Sequence, residues 1–580
     1  MVKVVKKKKK PGGGLGSGFR RGASSVETSP LRPYYAEKIP PCEDACPNAN
    51  NIRRILNSFI TAEKRGIAYD NIIHDAWYTL AEKNPFPAVC GRVCPHPCEN
   101  ACNRNVKDQP VAINNIERFI GDFGIENNLK HKKLHDTVYD EKVAVIGAGP
   151  AGLSCAFQLA RLGYNVTVFE AFSKPGGMLR YGIPAYRLPR KILDAEIDKI
   201  KELGVDIKYS TMIGKDILYD DIKKDYDAIF IGIGAQKSKL PNVEGEDTAN
   251  VFTGTEFLNR VNSGQPVDMG TDVIVIGGGD TAIDAARMAR RAGANTTILY
   301  RRTRTEMPAI DEEIEGALEE GIKIEYLAAP LKISKNGEKA VKIKCRRMEL
   351  GEPDESGRRR PVPVEGSEFE VAATAVIAAI SQEPDFEGFQ QLREERDWIK
   401  VDELGRVKLN GEPVGGVYAG GDVLGLGLVT IAISNGRFAA QTIHDRFRST
   451  EHVSAPLSGG SSASGGEELK LPVIKHEKIL LNYYEEKTRN KNIKMPVEER
   501  FANPDAEITS TLTKKQIIEE ALRCFSCASC FDCGVCWSYC QDNAIIKPLT
   551  PGEKYKFKLE FCNGCKKCAE QCPCGYIEMH

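Results

Sequence analysis

Through the middle of the chain, short apolar runs of strand length alternate with helix-forming stretches. Val143–Ile146 runs into glycines and then into the helix formers Leu153–Leu162, and Asn165–Phe169 is the next apolar run. The same order returns at Asp272–Ile276, Ala282–Ala292 and Thr296–Tyr300. Asp227–Gly234 and Val417–Asp422 add two more strands that end in glycines. Strands that are apolar throughout, separated by helices, predict an α/β fold with parallel sheets buried on both faces. The flanks differ. Residues 1–33 hold the Lys6–Lys10 run and Gly12–Gly14 with almost nothing to bury, which predicts a disordered basic tail. Residues 34–139 read as a small helical domain, and 451–523 as a Ser/Gly-rich then charged linker.

Composition narrows the function classes. Lys+Arg and Asp+Glu are both 80 in 580 residues, which gives no basic signal for nucleic acid. The most apolar run, Val371–Ile380, is a strand's length and short of the ~20 residues of a membrane span. The N-terminus has no apolar signal region, so the expected location is the cytoplasm. Nineteen cysteines is a high count for a large globular chain. Their short, regular spacings favour metal ligation in a reducing compartment over disulfide staples.

The glycines after the first strand carry specific chemistry. In Gly147-x-Gly149-x-x-Gly152, with Pro150 and Ala151 between, the first glycine makes the tight turn and the second admits a pyrophosphate. The third lets helix pack on strand, and the helix N-terminus offers free N–H groups to phosphate. Glu170 ends the second strand, eighteen residues past Gly152, where a carboxylate holds ribose hydroxyls. Gly177 and Leu179 lie in the proline-rich GGMLRYGIPAYRLP segment that follows. Gly421 and Asp422 end a later strand, where the carboxylate suits a flavin ribityl hydroxyl. The second fingerprint is Gly277-x-Gly279-x-x-Ala282, with Asp280 and Thr281 opening its helix. Its second strand ends in Arg301-Arg302 where the first has an acid. Arginines there suit a 2′-phosphate, which favours NADP and leaves NAD open. One acid-ended and one arginine-ended fold predict FAD and NAD(P) in two interleaved Rossmann-like domains, 140–265 with 381–450 and 266–380.

The cysteines fall into two groups. Cys42, Cys46, Cys90, Cys94, Cys98 and Cys102 lie in the helical domain, with Pro95 and Pro97 breaking any single helix through the last four. Iron–sulfur ligation is the expectation and structural zinc the alternative; six thiols exceed one four-ligand site and fall short of two. At the C-terminus, Cys530, Cys533, Cys536, Cys540 and Cys562, Cys565, Cys568, Cys572 both follow C-x2-C-x2-C-x3-C. That is the two-cluster ferredoxin run, in which each fourth cysteine serves the other cluster. Crossed ligation gives Cys530, Cys533, Cys536 and Cys572 for one [4Fe–4S] cluster and Cys562, Cys565, Cys568 and Cys540 for the other. Residues 524–580 are thus an expected α+β ferredoxin-like domain. Gln541 stands where the first run usually has Pro; Cys574 is surplus, and Cys155 and Cys345 read as buried thiols.

Taken together, CGRVCP, GAGPAG, GGMLRYGIPAYRLP, GGGDTAIDAAR, YRR, EMPA and AGGD resemble the small subunit of glutamate synthase and its relatives over about residues 35–445. The C-terminal extension is similar to versions serving anaerobic electron transfer, among them the NAD(P)H-oxidising partner of dissimilatory sulfite reductase. The resemblance implies two N-terminal clusters and a non-cysteine ligand, which Glu117 in VAINNIERF matches. The family also has a C-x2-C just before the counterpart of Cys42, preceded by Glu-Ala-x-Arg. Here that form appears only far downstream, as Glu520-Ala-Leu-Arg-Cys524-Phe-Ser-Cys527. The expected sets for the one or two N-terminal clusters are therefore Cys46, Cys94 and Cys98 with either Glu117 or Cys90, and Cys42, Cys102, Cys524 and Cys527.

The expected activity is that of an NAD(P)H:acceptor oxidoreductase delivering electrons through flavin and clusters to ferredoxin, sulfite reductase or a glutamate synthase large subunit. The rival is a wiring subunit without independent turnover. No Ser/His or paired-carboxylate constellation asks for a protein nucleophile, and the oligomeric state is open.

Overall fold

The computed structural model describes residues 29–337, 339–355, 357–393, 398–449 and 471–580. Most of the expected basic tail and the Ser/Gly stretch 451–470 lie outside them.

Two parallel sheets form the centre. The first has six strands in the order 406–409, 412–419, 228–231, 142–146, 165–169, 206–208, all parallel but the edge hairpin. It buries one core with Val143, Val145 and Val168, and another with Ala144, Ile146 and Ile229. Successive residues of one strand thus enter opposite cores, which is why the sequence shows runs rather than alternation. The second sheet has five parallel strands ordered 323–326, 295–300, 272–276, 375–378, 251–253. Because strand 412–419 rejoins the first sheet, the chain leaves that domain, builds the second, and returns. The antiparallel pair Lys237–Ser238 and Gln382–Glu383 marks both crossings.

Two features depart from the sequence reading. Val251–Thr253 and the helix Gly254–Asn262 belong to the second unit, which therefore starts upstream of residue 266. Residues 328–372 form a three-stranded antiparallel ribbon over the outer face of the second sheet.

The N-terminal domain packs Ile52–Arg65, Tyr69–Ala81 and Ile113–Glu126 around Phe59, Trp77 and Ile120, while Pro87–Val93 turns Ala88, Val89 and Val93 into the core of the first sheet's domain. Pro87–Val93 and Ile113–Glu126 cross almost in backbone contact. A Cβ on Gly91 would lie 2.3 Å from Arg118 Cα, and one on Gly121 2.2 Å from the Ala88 nitrogen. A further helix of this core comes from the far end of the chain. Ile517 and Ala521 of Lys514–Ala521 are fully buried in the same cluster.

Residues 471–523 run as a strap along the molecule. Glu507 takes Arg92 at 2.7 Å and Arg118 at 2.8 Å, and Arg500 pairs with Glu319 at 2.9 Å. The two chain ends meet as well. Pro33–Tyr35 pairs antiparallel with Ile577–Met579, so residues 29–33 are ordered against the C-terminal domain. No helix among the described residues is long and apolar enough to cross a membrane.

Candidate functional site

Both glycine fingerprints sit at the C-terminal ends of their first strands, each opening a helix, Pro150–Arg161 and Asp280–Arg291. Their glycines divide the work. Gly147 has φ +99°, and a Cβ there would lie 2.5 Å from the Gly232 carbonyl oxygen; Gly277 has φ +146° and would meet that of Ala379 at 2.2 Å. These positions must be glycine for the fold itself. Gly149, by contrast, faces open space, with nothing within 4 Å of an added Cβ, and Gly279 meets only Pro308 at 3.9 Å. The room in front of each helix N-terminus is where a pyrophosphate fits, and the exposed N–H groups supply its donors.

Around the first fingerprint, Glu170 accepts from the Ala148 and Phe172 nitrogens, both at 2.8 Å, which ties the glycine turn to the end of the second strand. Its carboxyl is pushed up by burial, against those two hydrogen bonds. Gly177 (φ +52°) brings its backbone so close that a Cβ would lie 2.9 Å from Gly149 Cα, and Leu179 is buried beside it. Across the helix, the Gly421 nitrogen donates to Asn435 Oδ1 at 3.1 Å. Asp422 accepts from Gly427 at 3.2 Å, and burial pushes its carboxyl up to about 6. Pro150 fits the first turn, where no backbone N–H is needed. Ala151 is buried against Gly421, whose added Cβ would meet its own at 2.9 Å.

The second fingerprint opens into a cleft of about 760 Å³. Gly277 to Thr281, Tyr300 and Arg301 line one side, and Asp422 and Gly427 of the first domain line the other. Asp280 accepts from the Ile310 nitrogen at 3.0 Å and so pins the loop that closes the cleft floor. The arginine pair is split. Both line the cleft, but Arg301 is exposed in it, whereas Arg302 is largely buried, donating to Asp354 Oδ2 at 2.6 Å and the Arg359 carbonyl at 2.7 Å. Arg358, from the same ribbon, also lines the cleft. Sequence reasoning missed it because the ribbon has no motif.

The cysteines gather in four sets. Cys530, Cys533, Cys536 and Cys572 line one space with Tyr35, Tyr555 and Tyr576. Cys574 joins them, its sulfur 3.7 Å from Cys572, and the hydrogen bond between them holds Cys572 below its ordinary value. Cys568 is pushed up to about 11 by burial and by the neighbouring Cys562, Cys565 and Cys540. Cys42, Cys102, Cys524 and Cys527 line a third space, with Leu56, Val111 and Ile113 as its apolar walls. Burial raises Cys42 well above its ordinary value, and the other three thiols of that set add to the shift.

In the fourth set, burial and then Glu99 raise Cys98, with Cys46, Cys94 and Glu117 adding to the shift, and Cys94 is pushed up to about 12 by burial, then by Glu117. Glu117 is half-buried, accepts from Asn84 at 2.9 Å and Asn50 at 3.2 Å, and desolvation raises it to about 7. Cys90 is fully buried one turn before Cys94, its thiol toward Asn84 Oδ1 at 3.8 Å. Arg437, on the helix that follows Asp422, feels the Cys46 thiol, which puts this set beside the first fingerprint.

Backbone N–H groups aim at sulfur in every set. His96 donates to Cys94 (3.4 Å), Ser526 to Cys524 (3.3 Å), Ala544 to Cys540 (3.2 Å), Gly564 to Cys562 (3.4 Å) and Tyr576 to Cys572 (3.4 Å). Such donors stabilise thiolates and suit iron–sulfur ligation. Among the described residues, no group of three His, Cys, Asp or Glu is set to hold one metal ion. In two of the sets the thiols ring a space instead, as the corners of a cluster require.

Comparison with known proteins agrees with this layout. The family described as pyridine nucleotide-disulphide oxidoreductase matches residues 141–436, and that described as dihydropyrimidine dehydrogenase domain II, 4Fe-4S cluster, matches 34–129. The NADPH-Fe(3+) oxidoreductase subunit beta of Geobacter sulfurreducens is 45% identical over 60% of this chain and 51% of its own length. The NADP(+)-dependent formate dehydrogenase subunit beta of Moorella thermoacetica is 37% identical over 75% and 64%. The glutamate synthase [NADPH] small chain of Escherichia coli is 36% identical over 70% of this chain and 88% of its own. The matched region thus spans about half to two thirds of the first two relatives.

Proposed function

The chain belongs to the pyridine nucleotide-disulphide oxidoreductase family, in the branch that carries a 4Fe-4S domain and includes the glutamate synthase small chains. From that premise we propose that it is an NADP(H)-dependent iron–sulfur flavoprotein that moves electrons between nicotinamide and a partner redox enzyme. The observation that carries the reading is the shared cleft, in which Gly279 and Arg301 of one fold face Asp422 and Gly427 of the other. A dinucleotide lying on Gly277–Thr281 would point its far end toward the flavin side.

FAD, when bound, supplies the conversion between a hydride donor and one-electron acceptors. The residues supply position and charge. Gly149 and the N-terminus of Pro150–Arg161 receive a pyrophosphate, Glu170 holds the turn and a ribose, and Asp422 accepts a hydroxyl hydrogen bond. Arg301, with Arg358 nearby, binds a 2′-phosphate through charge-assisted bonds. Cys46, Cys94, Cys98 and Glu117, beside the helix that starts after Asp422, are positioned to take electrons from the flavin domain. The two ferredoxin-type sets carry them outward. Cys565 is exposed, and so are Trp537, which follows Cys536, and Tyr539 and Phe561, which precede Cys540 and Cys562. An apolar, aromatic surface around the terminal set suits docking of a partner protein.

Relatives whose names are subunits or small chains support a partner enzyme of larger size, in a reducing compartment that keeps these thiols free. The test is anaerobic mixing of the purified holoprotein with NADPH. Bleaching of the flavin followed by reduction of a viologen dye is expected. Absence of flavin bleaching contradicts the proposal, and bleaching without dye reduction selects the wiring-subunit form of it.

A further inference from the structure

Cys42 and Cys102 come from the first hundred or so residues, and Cys524 and Cys527 from the last sixty, yet the four line one space. The approach is built, not incidental. Lys514–Ala521, which delivers Cys524, is part of the N-terminal core, with Ile517 and Ala521 buried against Phe59, Ile113 and Ile116. Glu520 is fully buried and accepts from the Ala112 nitrogen at 3.0 Å and the Asn490 nitrogen at 2.6 Å. Arg523, also buried, pairs with Glu520 at 2.8 Å and donates to the Gln109 and Pro110 carbonyls at 2.7 and 3.0 Å. Arg104 donates back to the Arg523 carbonyl and pairs with Asp108. Two arginines and a glutamate taken out of water carry a desolvation cost, which these ion pairs and carbonyl contacts offset while leaving Arg523 Nε without a partner.

The loop itself is shaped for ligation. Ser526 and Ala528 both hold positive φ (49° and 50°), which turns the 524–527 backbone around its own thiols. Ser526 N–H reaches Cys524 sulfur, Asn103 Nδ2 reaches Cys527 sulfur at 3.6 Å, and Arg53 holds the Cys527 and Ala528 carbonyls at 3.1 and 3.2 Å. The Ser526 hydroxyl is buried without a partner. Backbone held in this region by residues other than glycine is strained and persists where the surroundings enforce it.

We propose that Cys42, Cys102, Cys524 and Cys527 together bind one iron–sulfur cluster of the four-iron class, completed only when the two ends of the chain meet. The identity of the bound group rests on the redox reading above; the convergence of the four thiols does not. The site is a staple as well as a relay. Neighbouring sets are joined by three- or four-residue steps, Cys42 to Cys46, Cys527 to Cys530 and Cys536 to Cys540. Each step spans at most roughly 10–14 Å of chain. The shared site therefore lies between the flavin-side set and the ferredoxin-type sets, and the C-terminal domain is held in place rather than swinging on its linker.

The test uses the full chain reconstituted with iron and sulfide under anaerobic conditions. Cys524→Ser/Cys527→Ser is expected to lose about four iron atoms per chain, and Cys42→Ser/Cys102→Ser the same number. The fourfold variant should lose no more than either pair. Additive losses, or a loss from one pair alone, would overturn the proposal. Should the variants not fold, alkylation of the unmutated protein decides. All four cysteines should be protected with iron bound and should react together once iron is stripped; equal labelling in both states refutes the shared site. Flavin per chain and bleaching of the unmutated protein by NADPH are read separately, so a failure of the oxidoreductase reading stays distinguishable.

Discussion

Arg302 donates to Asp354 at 2.6 Å, and this ion pair divides two adjacent arginines that look equivalent in the sequence. With Arg302 held to the ribbon, although it also lines the cleft, we assign the 2′-phosphate to Arg301. Arg301→Ala should raise the KM for NADPH tenfold or more, consistent with loss of a charge-assisted bond of about 1.5–3 kcal/mol, and leave NADH nearly unchanged. Arg302→Ala should instead affect both nucleotides alike and lower the melting temperature. Steady-state kinetics with both cofactors check this; selective loss of NADPH in the Arg302 variant would reverse the assignment.

The two fingerprint glycines separate folding from binding. Gly149→Ala adds a methyl to open space, so the flavin-free protein should melt as wild type does while flavin is lost. Gly147→Ala forces a side chain to φ +99° against the Gly232 carbonyl and should cost at least 1–3 kcal/mol of stability. Calorimetry of the flavin-free variants, paired with flavin titration, measures both effects. Equal melting temperatures for the two variants would contradict the division.

Asp422 links stability to pH in the flavin-free protein. Its carboxyl sits at about 6 against an ordinary 3.8, so the folded state binds the proton more tightly than the unfolded chain does. The stability this contributes is complete below pH ~4 and is lost as pH rises through about 6. Asp422→Asn should therefore raise flavin-free stability at pH 7 by ~1–3 kcal/mol and leave it unchanged at pH 4. Flavin affinity should fall in the same variant. Parallel stability curves for the two proteins would refute the role given to burial.

Glu117 is held by Asn84 and Asn50 with its carboxyl among Cys46, Cys94 and Cys98. If it ligates, Glu117→Cys should keep the iron content and shift one reduction midpoint, because potential follows ligand type and net charge. Potentiometric titration of the holoprotein reads this directly. An unshifted set of midpoints would remove Glu117 from the ligand set.

What could be read from the sequence follows the range of the interactions involved. Asn165–Phe169 and Asp272–Ile276 fall at their expected bounds, because apolar runs closed by glycines are local signals. The helices start earlier than expected, at Pro150 and Asp280, since the second fingerprint glycine already serves as the cap. The ribbon 328–372 escaped because its long strands are mostly half-exposed and carry no turn signal as strong as the fingerprints. With it went Arg358 and the partner of Arg302. The ferredoxin-type sets were legible in their spacing, and the pairing of Cys42 and Cys102 with Cys524 and Cys527 only by counting thiols left over. Nothing local in Lys514–Ala521 says that it completes a core begun at residue 52. That depends on contacts across more than four hundred residues.

In the proposed route, electrons from nicotinamide pass through the flavin domain to the thiolate sets at the far end of the chain. Anaerobic titration of the holoprotein with NADPH, with electrons taken up counted per chain, measures this passage. Uptake well beyond the pair of electrons one flavin holds is expected, with the absorbance of the C-terminal clusters falling alongside that of the flavin. Uptake that stops at the flavin, with those clusters reducible by dithionite alone, would contradict it.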